Sequence, residues 1–421
     1  MNTRHPLAAC MMLVLLSAAG HAAQPVTHGA PLPPEEQIMQ VLSDSPRMLI
    51  AHESIAAGQA QEQKLRAGPH EWQIAAMTQQ RTDGNGRRTD EQEYELQRAV
   101  RWPWKYSLDR ELGASLLEAG ELSYADAWHE AGRDLLDLWF EWLAAEQSLR
   151  LTGVQVETLL AQQQAVARRV NAGDAPALEL QLASAETRRL QAQRTEQARA
   201  AMRASEALAR EFPGIARQLP EQLESPLELA GTDGEWIARI TSDNHELELS
   251  EARADEARLG AERASRNRLP DPTLGLHYSD NIDGNRKLIG LTVTVPLGGR
   301  ARSADAALAR SAARAAQGNA QFVRDGVFAE ARAVIADARL TYRTWQTLAE
   351  AAAQFQQAAD ATARGYALGE FDIGAMLVAR RQSQEAQQQL MAAQLAAHRA
   401  LSRVLLDAHQ LWALPHDFGS R

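Results

Sequence analysis

Few residues of this chain are spaced for bond-making chemistry. His129-Glu130 begins like the helical zinc-hydrolase pattern, but no second histidine stands four positions after the first. The two-imidazole face that would hold zinc is therefore missing. The other histidines are scattered along the sequence, and the methionines beyond residue 22 show no pairing suited to copper or silver. No G-x-S-x-G elbow, phosphate loop or dinucleotide fingerprint is present. The chain reads as no enzyme, with no cofactor and no metal ligands. Asp83-Gly84-Asn85-Gly86 has the composition of a hairpin turn, not of a calcium loop. The polar groups that stand out lie where long helical patterns break: Gly173-Asp174-Ala175 and Gly369-Glu370-Phe371. Glu179 and Asp372 follow just beyond. Under threefold symmetry an inward-facing carboxylate becomes an acidic ring that attracts cations; on a solvated face it is ordinary surface charge.

The elements that place these residues occur twice. Gly173 and Gly369 are 196 residues apart (369 − 173), and each ends a long heptad helix. In the first, Leu149, Thr152, Val156, Leu159, Gln163, Val166 and Val170 follow a 3-4 spacing; in the second, Trp345, Leu348, Ala352, Phe355, Ala359, Thr362 and Tyr366 repeat it at the same offset. This is a coiled-coil seam kept in both halves. No proline interrupts 107–170 or 302–366, enough for helices of ~90 Å. Alanine-rich returns, 177–211 and 373–407, make each half a long hairpin. A hairpin of that length has no globular core of its own and must pack with copies of itself.

Ahead of each hairpin lies a pair of alternating strands. Trp72, Ile74, Ala76 and Thr78 share one face, and Tyr94, Leu96, Val100 and Trp102 return, with Arg98 interrupting the apolar side. The second pair runs through Leu274, Leu276 and Tyr278, turns at 280–285, and returns through Ile289, Leu291, Val293 and Val295. Pro103 and Pro296 are read as closing equivalent strands. Strands of this length, alternating and carrying Trp and Tyr, fit a transmembrane barrel; a soluble two-stranded sheet on helices is the plainer reading of either pair alone. Four strands cannot close a barrel, since about eight is the practical minimum. An open edge facing lipid would leave backbone groups unpaired in hydrocarbon. The barrel must be shared between subunits.

The ends and the composition agree with an exported protein. Arg4 and His5 precede an apolar run, Leu7 to Ala19, that ends in small residues, the pattern of a secretory signal cut after Ala22 or Ala23. Cys10 follows a local lipobox-like Leu7-Ala8-Ala9 but stands ahead of most of the hydrophobic run; it is the only cysteine, so the mature chain has no thiol chemistry. Aromatics make up 5% of the chain and the net charge is −10, which suits long amphipathic helices and argues against a nucleic-acid partner. The segments are then a signal peptide (1–22), a flexible leader (23–34), a first repeat (35–211, with strand pair 71–102 and hairpin 107–211), a connector (212–244), a second repeat (245–407, with strand pair 272–296 and hairpin 302–407) and a tail (408–421).

Strand pair, long hairpin, connector and second copy behind a secretory signal resemble the TolC-like outer-membrane factor family over essentially the whole mature chain. Leu65-Arg66-Ala67-Gly68-Pro69-His70-Glu71-Trp72, Asp109-Arg110-Glu111-Leu112-Gly113 and Trp139-Phe140-Glu141-Trp142 look like the branch serving cobalt–zinc–cadmium efflux. Val170-Asn171-Ala172-Gly173-Asp174 and Tyr366-Ala367-Leu368-Gly369-Glu370 match the family's hairpin-tip pattern. The resemblance implies a mainly α fold with a small β part, in which a homotrimer forms a twelve-stranded transmembrane β-barrel continuous with a periplasmic α-helical coiled-coil tunnel. It implies an outer-membrane location with most of the mass in the periplasm. The tips would dock a periplasmic adaptor joined to an inner-membrane resistance–nodulation–division pump, and would splay to open a gate. Drug or small-organic efflux is the alternative cargo class. A soluble periplasmic coiled-coil adaptor is the rival architecture, though adaptors carry one hairpin and more β-structure.

Overall fold

In a computed structural model, described for residues 29–82, 84–281 and 286–414, the chain is mostly helix with one small sheet. The signal peptide with Cys10, Asp83 of the first turn, most of the second turn and residues 415–421 lie outside the described residues. Chain order is α1 (Glu35–Ser43), α2 (Pro46–Ala67), β1 (Gln73–Thr82), β2 (Arg88–Ala99), α3 (Pro103–Asn171), α4 (Ala177–Glu211), α5 (Asp233–Ser242), α6 (His245–Arg266), β3 (Thr273–Asn281), β4 (Arg286–Thr294), α7 (Arg300–Leu368) and α8 (Ile373–Asp407). The two halves match in length: α3 and α7 have 69 residues each, α4 and α8 35 each, α2 and α6 22 each. A 69-residue helix is ~100 Å long.

Local chemistry sets the boundaries. Ser45 N-caps α2, accepting from the Met48 amide, with Pro46 in the first turn. Asn244 caps α6 in the same way, accepting from Leu247 at 2.9 Å. The segments Ser43-Asp44-Ser45 and Ser242-Asp243-Asn244 thus make equivalent breaks, and α5 stands to α6 as α1 stands to α2. The two prolines are not equivalent. Pro103 is the first residue of α3, whereas Pro296 lies four residues before α7 begins, so the second strand-to-helix link is longer.

The principal core sits midway along the helices. Leu135, Leu136, Trp139, Phe140, Trp142 and Leu143 of α3 pack with Ile38 and Leu42 of α1, Leu208 of α4 and Trp412 beyond α8. Trp139 donates its indole N–H to the Pro31 carbonyl at 2.7 Å, fastening the segment before α1. A second cluster joins α5, α7 and α8 through Trp236, Ile240, Ile335 and Val404. No helix among the described residues is long and apolar enough to cross a membrane.

Candidate functional site: sheet, junction and hairpin tips

The two strand pairs form a single antiparallel sheet in the order β1-β2-β3-β4. Its register sorts residues by chemistry. Ile74, Leu96, Leu276 and Leu291 lie in one row, and Ala76, Tyr94, Tyr278 and Ile289 in the next row of that face. The opposite face carries Gln73, Gln97, Gly275 and Thr292, then Ala75, Glu95, His277 and Gly290. The apolar face is bare: Ile74 is 80% and Leu291 87% exposed, and no helix of the same chain packs on the sheet among the described residues. Contiguous apolar surface of this kind marks contact with lipid or a partner. β1 and β4 leave their outer backbone edges unpaired.

Arg98, which interrupts the apolar pattern, sits at the foot of this face. Its Nε donates to the His70 carbonyl at 3.0 Å and its guanidinium lies 5.3 Å from the Trp72 ring. The cation is absorbed by a carbonyl and an aromatic face rather than presented along the strands.

Below the sheet two buried ion clusters fasten strands to helices. Asp109 of α3, 2% exposed, takes Arg101 at 2.6 Å and Arg263 of α6. Arg101 also donates to the Leu65 and Arg66 carbonyls at the end of α2. Gly68, with φ +78°, leaves the room that its guanidinium occupies. Lys105, fully buried, reaches Asp271 at 2.9 Å and the Leu269 carbonyl at 2.6 Å, and His70 meets the other Asp271 oxygen at 3.0 Å. Burial acts to raise the Asp271 pKa, but hydrogen bonds from Lys105 and His70 outweigh it and hold the carboxyl below its ordinary value. The residues resembling cation-efflux motifs (Gly68, His70, Asp109, Gly113) are thereby parts of a joint. Gly113 lets α2 approach through Glu62.

The two tips share one construction. Gly173 and Gly369 have φ of +81° and +80°. Gly173 N–H donates to the Val170 carbonyl and Asp174 N–H to Arg169; Gly369 donates to Tyr366 and Glu370 to Gly365. Both are Schellman closures with glycine in the left-handed position. No atom stands within 4 Å of where a β-carbon would be at either glycine, so backbone conformation alone requires them. Gly173, Asp174, Gly369, Glu370 and Phe371 are exposed and Ala175 half-buried. Phe371 lies against buried Gly365, where a β-carbon would overlap its ring.

The candidate acidic residues are both engaged within the chain. Asp372 N-caps α8, accepting from the Ala375 amide at 2.7 Å. Glu179 accepts the Tyr366 hydroxyl at 2.6 Å, with Arg169 at 4.0 Å. Arg169 also lies 5.2 Å from the Tyr366 ring. Val166, Ala183, Ile373 and Met376 form a small core beneath, joined by Val170 and Tyr366. The two tips therefore meet. Of the seam residues, Val156 and Leu159 pack with Leu190 of α4, and Leu348 is half-buried. On α7 the seam residues Ala352 and Ala359 are buried, and Phe355 between them is 41% exposed in the single chain.

Sequence reasoning missed Arg169 and the Tyr366 hydroxyl as partners; spacing marks Tyr366 as apolar seam and gives no view of what its oxygen meets. It also missed a gathering of histidines: His129, His245 and His409, far apart in sequence, have neighbouring rings. Among the described residues, no group of three or more His, Cys, Asp or Glu is disposed to hold a metal ion.

Comparison with protein-family models and with curated proteins gives no match. Solved structures do match. The Campylobacter jejuni CmeC outer membrane channel is similar with a TM-score of 0.75 and 14% identity, over 89% of this chain and 85% of that one. CusC, described in terms of folding and transmembrane channel formation, is similar with a TM-score of 0.73 and 14% identity, over 93% and 98%. The Vibrio cholerae outer membrane protein VceC is similar with a TM-score of 0.70 and 18% identity, over 90% and 95%. Across nearly its whole length, this chain has the fold of those outer-membrane proteins.

Proposed function

We propose that this chain is one protomer of a TolC-like outer-membrane exit duct, assembled as a homotrimer and serving a tripartite efflux system. The observation that carries the reading is the four-stranded sheet with one bare apolar face and two open edges, mounted on paired hairpins. Three copies joined β4 to β1 give twelve strands and leave no backbone edge in hydrocarbon. In that barrel the Ile74–Leu291 rows face lipid and the Gln73–Thr292 rows face water. Stacked Trp102 and Trp104, 4.7 Å apart at the foot of the sheet, suit the lipid–water interface. A soluble adaptor would have no use for an uncovered apolar sheet.

The duct does no chemistry. Its hairpins extend into the periplasm, and the exposed tip residues Asp174, Glu370 and Phe371 meet a periplasmic adaptor joined to a resistance–nodulation–division pump. The Arg169–Tyr366–Glu179 contacts hold the tips together until docking separates them. Glu179 and Asp372, occupied within the chain, contribute charge near the mouth without being free ligands.

For cargo we propose heavy-metal cations of the cobalt–zinc–cadmium type, supported by the motif resemblance. Drug or small-organic export is the alternative. Growth of a deletion strain across graded cobalt, zinc and cadmium, with hydrophobic drugs and dyes in parallel, separates them. Sensitivity confined to metals and restored by the wild-type gene supports cation export. Drug sensitivity with metals unchanged keeps the duct and replaces the cargo.

A further inference from the structure

Three histidines from distant positions converge at mid-height. His129 lies within α3, His245 opens α6, and His409 follows α8 by two residues. The His409 ring is centred 4.8 Å from that of His245 and 5.3 Å from that of His129, which are 6.4 Å from each other. Two have carboxylate partners: His129 Nε2 is 3.1 Å from Asp407 Oδ1, and His245 Nδ1 is 3.4 Å from Glu248. His409 Nε2 is buried with no hydrogen-bond partner.

The backbone of His409 is equally unusual. Its N–H donates to the Leu406 carbonyl and that of Gln410 to Leu405, the same Schellman closure that ends α3 and α7. There the left-handed residue is glycine; here it is histidine, with φ +55°. Glycine adopts this conformation freely and a residue with a β-carbon does not. A strained backbone that carries an unbonded buried nitrogen into a histidine cluster points to a role for the ring itself. Three residues on, Trp412 is also left-handed, at φ +54°, and is buried beside Gly132. Its carbonyl accepts the Trp128 indole N–H at 2.9 Å. The chain from 408 to 414 is thus a clasp lying against α3.

We propose that this clasp is a proton-operated latch, closed while the His409 ring, buried against His129 and His245, is neutral and released when that ring takes up a proton. The groups around it set the balance. α3 contributes Asp126, Glu130 and Arg133 beside His129; Asp243 precedes α6, which adds Glu246 and Glu248; α7 adds Glu330 and α8 adds Arg403. Asp407 and Asp243 favour a charged His409, but Asp407 is already held by His129, Arg133 and Arg403. Burial, followed by the His129 and His245 charges, prevails and pushes the His409 pKa down to about 4. The closed clasp binds fewer protons than the released one between that value and the ordinary 6.5. Closure is therefore strongest above pH 6.5 and weakens as pH falls toward 4. The latch does not depend on the duct reading.

The test is hydrogen exchange of residues 408–414 in the full mature protein in detergent, at pH 7.5 and 5.0, with intrinsic exchange rates divided out. Wild type should open about thirtyfold more at pH 5.0. His409→Gly relaxes the backbone and removes the ring, so its opening should be flat with pH to within about twofold. His245→Gln should give a smaller acid response than wild type. A flat wild-type profile overturns the latch, as does an undiminished acid response in both variants. Closure that requires added zinc at pH 7.5 would make the cluster a metal site and overturn it too.

Discussion

The Tyr366 hydroxyl, near the end of α7, donates to Glu179 in the first turn of α4 at 2.6 Å, and so bridges the two hairpins at their tips. Arg169 of α3 backs the same ring. Tyr366→Phe keeps the ring and deletes the donor. A half-exposed hydrogen bond contributes about 1 kcal/mol, so the melting midpoint should scarcely move. Hydrogen exchange at residues 169–179 and 365–373 should quicken severalfold, and conductance in planar bilayers should rise. Unchanged exchange and conductance would remove the bridge from the gate.

The same bond has a pH signature. Burial, and then Glu179 as acceptor, push the Tyr366 pKa up to about 12. The folded state favours the protonated hydroxyl, so the bridge is intact below pH 10 and is lost as pH rises from 10 toward 12. Ultraviolet titration of the phenolate in wild type against Tyr366→Phe should show one tyrosine missing from the most alkaline part of the curve.

At the tips, Gly173→Ala and Gly369→Ala should each cost about 1 kcal/mol through the left-handed backbone, with asparagine costing less and valine more. Empty space around both glycines means that bulk alone adds no penalty. Local exchange of the two turns measures the order; an effect that follows side-chain volume alone would contradict it.

Asp109→Asn leaves Arg101 and Arg263 facing each other without their shared carboxylate. Removing one partner of a buried ion cluster costs about 3–5 kcal/mol. The yield of folded, detergent-extractable protein should fall sharply, while Asp255→Asn, an exposed member of a surface pair with Arg258, should be neutral. Equal yields would show that the joint does not fasten sheet to helices.

Much of this architecture was legible because it repeats. The 196-residue offset between Gly173 and Gly369 marks paired turns, and alternation at Ile74, Leu96, Leu276 and Leu291 sorts the faces. Alternation within each pair could not show that β2 and β3 adjoin, because their contact spans the whole first hairpin. Arg98 breaks the alternation because it belongs to the foot of the sheet, beside the His70 carbonyl and the Trp72 ring. Ala352, Phe355 and Ala359 share one heptad line, and spacing does not say that the two alanines are buried within the chain while Phe355 is exposed. His129, His245 and His409 belong to three separate elements, and only tertiary packing brings them together.

Four strands with two open edges can complete a barrel only with other copies. The most direct measurement is the mass of the purified mature chain in detergent, by native mass spectrometry. The expected result is a particle of three chains that aggregates when detergent is withdrawn, as the bare Ile74–Leu291 face requires. A single chain, monodisperse and folded in plain buffer, would contradict it.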